Sequence, residues 1–322
     1  MPWHDFPKPL VAIVGPTAVG KTALAVELAE YFGGEIVSAD SRQFYRGMDI
    51  GTAKPTAAEL ARVRHHLIDV AHPDEPWSLA AFKREAEAAL ANIHARRKLP
   101  FLVGGTGQYV YGLLDDWQIP NQEPDVRMRT VLETWGRSLG PHAFHHKLAL
   151  LDPAAAAVIQ AENLRRTVRA LEVILLTGHR FSEQRRVGSS RYSVIKIGLI
   201  RPRPELYARV DARIASMLED GLVEEVRRLR EQGFSGELPT LSAIGYREIC
   251  AYLDGKMSLD EAVVRMKRLT RDYIRRQANW FKQNDPNIHW LQADEQSVAQ
   301  AIQWIEMDAN WKIVQQNKQA IP

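Results

Sequence analysis

The residues best suited to chemistry form one short run, "GPTAVGKT" (Gly15–Thr22). It fits the phosphate-loop pattern G-x-x-x-x-G-K-[ST] and lies between an apolar run, Leu10–Val14, and the helical run "KTALAVELAEYF". In a strand–loop–helix context, backbone N–H groups and the helix start point at phosphate oxygens. Gly15, Pro16, Thr17, Ala18, Val19, Gly20, Lys21 and Thr22 are therefore predicted to hold a diphosphate or nucleotide. Lys21 adds a mobile positive charge, and Thr22 can offer its hydroxyl to Mg²⁺. The plainer alternative is a Gly-rich turn that precedes a helix. The loop alone suits kinases, NTPases and diphosphate-using transferases equally.

Two further polar clusters follow apolar runs. "IVSADSRQFYRGMDIGTAKP" (Ile36–Pro55) carries Asp40, which either caps a helix or stands opposite the phosphate loop as a base or Mg²⁺ ligand. "GGTGQY" (Gly104–Tyr109) is either a helix N-cap or a second phosphate-facing turn, and Thr106 suits both. The pairs His65–His66 and His145–His146 have no Cys or carboxylate at ligand spacing and read as structural.

These clusters must be positioned by a sheet. Leu10–Gly15, Gly34–Asp40, His65–Val70 and Leu99–Gly105 read as strands. The run Ser78–Arg97 has helical spacing, Ser78 as its N-cap and basic residues at its C-end. Alternating strand and helix behind a glycine loop predicts an α/β fold, a doubly wound parallel sheet like that of P-loop NTPases, with the ligand site at the carboxyl ends of the strands. From about Asp115 three helical stretches with Pro and Gly at their joints predict an inserted helical domain, about 115–190. The P-loop core is then 1–114 with about 190–322, comprising a strand, Tyr192–Ile200, and long C-terminal helices. One helix is expected to run from Pro204 to a stop at Gly233, another to open at Ser258 with Glu261 as a capping box. The tail from Asn310 is expected to fray.

At 322 residues, 45% hydrophobic and 25% charged, the composition is that of a globular protein. The single cysteine, Cys250, rules out a disulfide framework and a Cys-based zinc site. With no signal peptide or membrane span in the sequence, a cytoplasmic protein without membrane association is expected. The net charge of +3 permits a nucleic-acid partner without requiring one. Its distribution says more. Arg265–Lys282 holds seven basic residues against one acid, Asp272, with Tyr273, Trp280 and Phe281 interleaved. Such a helix suits RNA phosphates and unpaired bases, or else is a solvated amphipathic helix whose aromatics are core.

The strings "GPTAVGKT", "SADSRQFYRGMDIGTAKP", "LVGGTGQY", "RALEV" and "IGYRE", in this order and at this spacing, resemble the bacterial tRNA dimethylallyltransferases, also called tRNA isopentenyltransferases. The second string is the specific one, since it is not a kinase pattern. Val19 and Gln108 depart from residues frequent in that family, Ser and Leu respectively. The resemblance implies transfer of a five-carbon group from dimethylallyl diphosphate to the N6 of an adenosine next to the anticodon, with diphosphate leaving. It implies Asp40 as general base, Thr106 at the bridging phosphate and Arg213 as a diphosphate clamp. It also implies that Asp40, Ser41, Arg42 and Gln43 face the flipped base, and counts Thr106 with them among the tRNA-binding residues. The segments Arg165, Arg166, Thr167, Val168, Arg169 and Ser242, Ala243, Ile244, Gly245, Tyr246, Arg247, together with Arg127, match family segments that touch tRNA. Arg275, Arg276 and Lys282 of the basic helix are assigned to the same partner, on a surface expected to be distinct from the phosphate loop. The protein is expected to act as a monomer with Mg²⁺. An AMP isopentenyltransferase and a P-loop small-molecule kinase remain the alternatives.

Overall fold

The computed structural model describes residues 8–75, 77–118, 125–184, 186–188 and 190–308; the expected fraying from Asn310 lies outside them. Two compact units partition the chain, Met1–Leu114 with Ser190–Pro322, and Asp115–Ser189. In chain order the first unit opens with β1 (Lys8–Val14), α1 (Lys21–Tyr31), β2 (Glu35–Ser38) and α2 (Ala57–Arg62). β3 (His65–His66), α3 (Leu79–Ala95), β4 (Pro100–Val103) and α4 (Gly107–Leu114) follow. The second unit contains β5 (Trp117–Gln118), α5 (Val126–Leu139), α6 (Pro141–Leu151), α7 (Pro153–Val158), α8 (Leu164–Thr177), α9 (Phe181–Gln184) and β6 (Arg186–Val187). The chain then returns to the first unit with β7 (Tyr192–Ile200), α10 (Arg203–Glu219), α11 (Leu222–Glu231), α12 (Tyr246–Leu253), α13 (Leu259–Ala278), β8 (His289–Gln292) and α14 (Ser297–Met307).

Six strands form one sheet in the order β3-β2-β4-β1-β7-β8, every pair parallel. A parallel sheet covered on both faces needs strands that are apolar throughout. β1 meets that need by alternation: Val11 and Ile13 enter the core on one face, Leu10, Ala12 and Val14 the core on the other. Helix α3 starts at Ser78, whose side chain accepts from the Ala81 N–H, and α13 opens with the Ser258–Glu261 capping box.

Four expectations change. The strand at His65–Val70 stops after two residues, because Leu67 (φ 62) and Asp69 (φ 56) take left-handed conformations that cannot continue a strand. The helix drawn from Pro204 to Gly233 is two, α10 and α11, broken where Gly221 sits at φ 98. The second inserted helix is likewise split, as α6 and α7, at Asp152, whose side chain caps α7 by accepting from Ala155 N. And β8 with α14 stands where only helix was expected near the C-terminus.

The second unit has its own core, built on Leu132, Phe144, Leu148, Val168 and Leu171. Among the described residues no helix is long and apolar enough to cross a membrane.

Candidate active site

Between Val14 and Lys21 the chain turns over the carboxyl edge of the sheet. Gly15 sits at φ 141, and a Cβ there would lie 2.6 Å from the Leu199 carbonyl oxygen of adjacent β7, so only glycine fits. The loop's carbonyls are taken by two arginines: Arg209 Nε donates to the Ala18 oxygen at 2.8 Å and Arg201 Nε to the Val19 oxygen at 3.0 Å. Its amides at Val19, Gly20, Lys21 and Thr22 donate to nothing else among the described residues. Engaged carbonyls and unengaged amides at a helix start make a cradle for an anion.

Lys21 Nζ donates to the Pro16 oxygen at 2.8 Å. Burial draws its pKa down to about 8, with the Asp40 charge opposing this and the Arg213 charge adding to it. Arg213, from α10, is held below its ordinary range by burial and by Arg209, against the pull of Asp40. Its guanidinium makes no hydrogen bond or ion pair among the described residues. Two partly buried cations, with Asp40 near both and Glu59 acting on Arg213 as well, and no ion pair to either among the described residues, favour an anionic ligand.

Asp40 follows β2. Its Oδ1 accepts from the Arg42 N–H at 3.0 Å and holds the turn; its other oxygen has no hydrogen bond among the described residues. The turn is fixed further by Ser38 Oγ donating to Gln43 Oε1 (2.9 Å), Gln43 Nε2 donating to the Ala53 oxygen (3.2 Å) and Arg42 Nη1 donating to the Thr240 oxygen (3.2 Å). Gln43 is thus engaged within its own loop. The Ser41 N–H donates to Thr106 Oγ1 at 3.3 Å, so the loops after β2 and β4 meet beside Asp40. The three polar clusters of the sequence occupy one edge of the sheet. A carboxylate, a hydroxyl and two cations are gathered beside an anion cradle, which is the equipment for displacing an anionic leaving group by a nucleophile that must lose a proton.

The chain matches the family described as IPP transferase over residues 43–284, and the one described as Isopentenyl transferase over residues 8–73. It belongs to the IPP transferase family. A tRNA dimethylallyltransferase of a Roseiflexus species is 52% identical over 303 residues, 92% of this chain and 99% of the relative. The crystal structure of a full-length tRNA isopentenylpyrophosphate transferase from Bacillus halodurans, 41% identical, superposes with a TM-score of 0.71 and covers 97% of this chain and 99% of its own. A eukaryotic dimethylallyltransferase acting on tRNA, 27% identical, gives a TM-score of 0.76 over 95% of this chain and 78% of its own.

In this member of the family the C-terminal end of α13 reaches the site through Tyr273 and Gln277. The expected separate surface therefore does not hold for Arg276, which lies over Tyr273, while Arg275 stays on an exposed face. Gln277 reaches the phosphate loop and the Gly105 turn. Tyr273 lies near Thr106 and Asp40; burial, then the Asp40 charge, pushes its phenol up to about 12. Arg276 lies over the Tyr273 ring at 5.8 Å, and Arg275 pairs with Asp272. Phe281 is core, whereas Trp280 packs one edge against Gly107 and stays exposed. Lys282 is exposed.

The Ser242–Arg247 segment divides. Ser242 and Arg247 are exposed and Ile244 half-buried, whereas Ala243, Gly245 and Tyr246 are buried. Tyr246 cannot touch RNA with its side chain: it is wholly enclosed, and its hydroxyl donates to Glu225 Oε1 at 2.6 Å. Glu225 also accepts from the N–H groups of Asp49, Ile50 and Gly51 at 3.0, 2.8 and 3.2 Å, pinning the loop that carries Asp40. Arg247 is tied to buried Glu248 at 2.9 Å.

Within the second unit, Arg127 is exposed on α5, and Arg165 and Arg166 are exposed on the first turn of α8. Thr167 and Val168 are buried, so their side chains are not RNA contacts. Arg169 and Arg129 both bind the buried Glu172, at 2.8 and 2.7 Å. His66 pairs with Glu35 at 2.8 Å, and His145 bonds the Ile159 oxygen. Sequence reasoning passed over Gln277, Glu225 and the role of Tyr273. A glutamine inside a run of arginines was the only signal available for the first.

Proposed function

We infer that this chain transfers a dimethylallyl group from dimethylallyl diphosphate to the exocyclic N6 of an adenosine adjacent to the anticodon in tRNA, releasing diphosphate. The observation that carries this is the unbonded oxygen of Asp40, set within electrostatic reach of Lys21 and Arg213 beside a cradle of unengaged amides. An N6 amine needs such an acceptor, because its lone pair is delocalised into the ring and it attacks well only as its proton leaves.

The amides of Val19–Thr22, Lys21 and Arg213 bind the diphosphate and stabilise charge building on it as the carbon–oxygen bond breaks. The Thr106 hydroxyl orients the bridging oxygen. As the nitrogen–carbon bond forms, the N6 proton passes to Asp40, a transfer worth a factor of about 10²–10⁴ in rate. Ser41, Arg42 and Gln43 shape the wall against which the extruded adenine rests. Turning the base out of its loop costs a few kcal/mol, offset by contacts to the protein.

Thr22 also suits Mg²⁺. Its half-buried hydroxyl has no hydrogen bond among the described residues and sits on the first turn after the loop. A protein offering one hydroxyl fits an ion held chiefly by phosphate oxygens and water. Mg²⁺ bound there would neutralise diphosphate charge.

The exposed cations Arg127, Arg165, Arg166, Arg247, Arg275, Arg276 and Lys282 are assigned to the anticodon arm, with Arg169 positioned through Glu172 and Ser242 at the rim. We assign the chain to the cytoplasm, acting as a monomer. The test is incubation with labelled dimethylallyl diphosphate and either bulk tRNA or AMP. Label in tRNA supports the reading; label in AMP alone gives the free-nucleotide enzyme, and label in neither overturns prenyl transfer.

A further inference from the structure

Tyr273 and Gln277 stand one turn apart on α13, and Trp280 lies in the turn that follows the helix. All three meet the turn Gly105–Thr106–Gly107. The Tyr273 phenol lies close enough to Thr106 to feel its hydroxyl. A Cβ on Gly105 would lie 2.2 Å from Gln277 Nε2, and one on Gly107 would lie 2.2 Å from Trp280 Cγ. A side chain at either glycine would collide with these residues as they stand, and Thr106 lies between the two.

Gln277 alone among these residues also reaches the phosphate loop. Its side chain is 4% exposed; Oε1 accepts from the Thr17 N–H at 2.8 Å and Nε2 donates to the Gly105 oxygen at 3.0 Å. One carboxamide thus satisfies a donor on the loop after β1 and an acceptor on the loop after β4. No other side chain of that length offers both. Glutamate lacks the donor, and asparagine is one methylene short.

We propose that Gln277 is a positioning residue for the transfer, fixing the separation between the phosphate loop and Thr106 so that both grip one diphosphate. This rests on the reading of those two loops as the diphosphate site. The bonded Thr17 amide precedes the unengaged Val19–Thr22 amides, so the tether anchors the loop and leaves its anion-facing donors unoccupied.

Inorganic diphosphate binding, measured by calorimetry on RNA-free protein, tests the tether alongside steady-state kinetics. Gln277→Ala is expected to weaken diphosphate binding about 10-fold, raise the donor KM and lower kcat by similar factors, and leave the tRNA KM within about 2-fold. Gln277→Glu keeps the acceptor for Thr17 and loses the donor to Gly105; an intermediate effect is expected, and it stands in if the alanine variant fails to fold. Lys21→Ala is the control for the underlying reading, and should abolish diphosphate binding. If Lys21→Ala binds diphosphate like wild type, the phosphate-loop reading fails and the tether with it. If Lys21→Ala loses binding while a folded Gln277 variant binds diphosphate normally with unchanged donor KM, the tether alone is wrong. A uniform rise in both KM values with unchanged kcat would also overturn it, since general loosening does not single out the donor.

Discussion

Thr106 Oγ1 accepts a hydrogen bond from the Ser41 N–H at 3.3 Å, and so joins the turn after β4 to the residue beside Asp40. The hydroxyl and the carboxylate that we propose as leaving-group contact and proton acceptor are thereby placed on neighbouring backbone. Their separation is set by the parallel pairing of β2 with β4, Ser38 opposite Val103.

Asp40→Asn keeps the side-chain oxygen that accepts from Arg42 and removes the basic electron pair. kcat should fall by about 10²–10⁴ with little change in donor KM. Steady-state kinetics with tRNA and dimethylallyl diphosphate decide it; activity within a few-fold of wild type would leave Asp40 as a turn residue only.

Lys21 gives the site a pH signature. Its pKa near 8 without ligand, lowered chiefly by burial, means that raising the pH through 8 removes a cation from the cradle. Diphosphate should therefore bind more weakly above pH 8, and binding near pH 8 should take up a proton, because the anion restores the charged form. Calorimetry in buffers of different ionisation enthalpy measures that proton. In Lys21→Arg, whose side chain stays charged throughout this range, both effects should vanish.

Glu225 accepts four hydrogen bonds in a buried position, from three loop amides and the Tyr246 hydroxyl. Glu225→Gln sets an NH₂ group against donors, and should lower stability by about 1–3 kcal/mol. Tyr246→Phe removes one partner and should cost about 1 kcal/mol. Urea midpoints report both, and unchanged midpoints would mean that the loop is held otherwise.

The basic helix predicts a salt dependence. Arg275→Ala with Arg276→Ala should reduce the magnitude of the slope of log K for tRNA against log salt by about one to two. Because Arg276 covers the Tyr273 ring, the donor KM should also rise a few-fold, which a remote RNA surface would not produce. A salt titration with an unchanged slope would make this a solvated helix face.

Much of this was legible in the sequence, because strand, glycine loop and helix start leave local signatures. The phosphate loop, the strand Tyr192–Ile200 and the Ser258 cap all depend on residues within a few positions of one another. What escaped depends on distant partners. Gln277 and Thr17 are 260 positions apart, and nothing near Glu225 announces that it holds a loop from the other half of the unit. Short β8 escaped for a related reason: its four residues become a strand by pairing with β7, not by their own pattern.

The most direct test of the account is a product balance from a single turnover with tRNA and dimethylallyl diphosphate, digested to nucleosides. The account predicts one diphosphate released for each adenosine alkylated at N6, with the modified nucleoside next to the anticodon and both products lost together in Asp40→Asn. Diphosphate released without alkylated adenosine, or alkylation on another atom of the base, would contradict it.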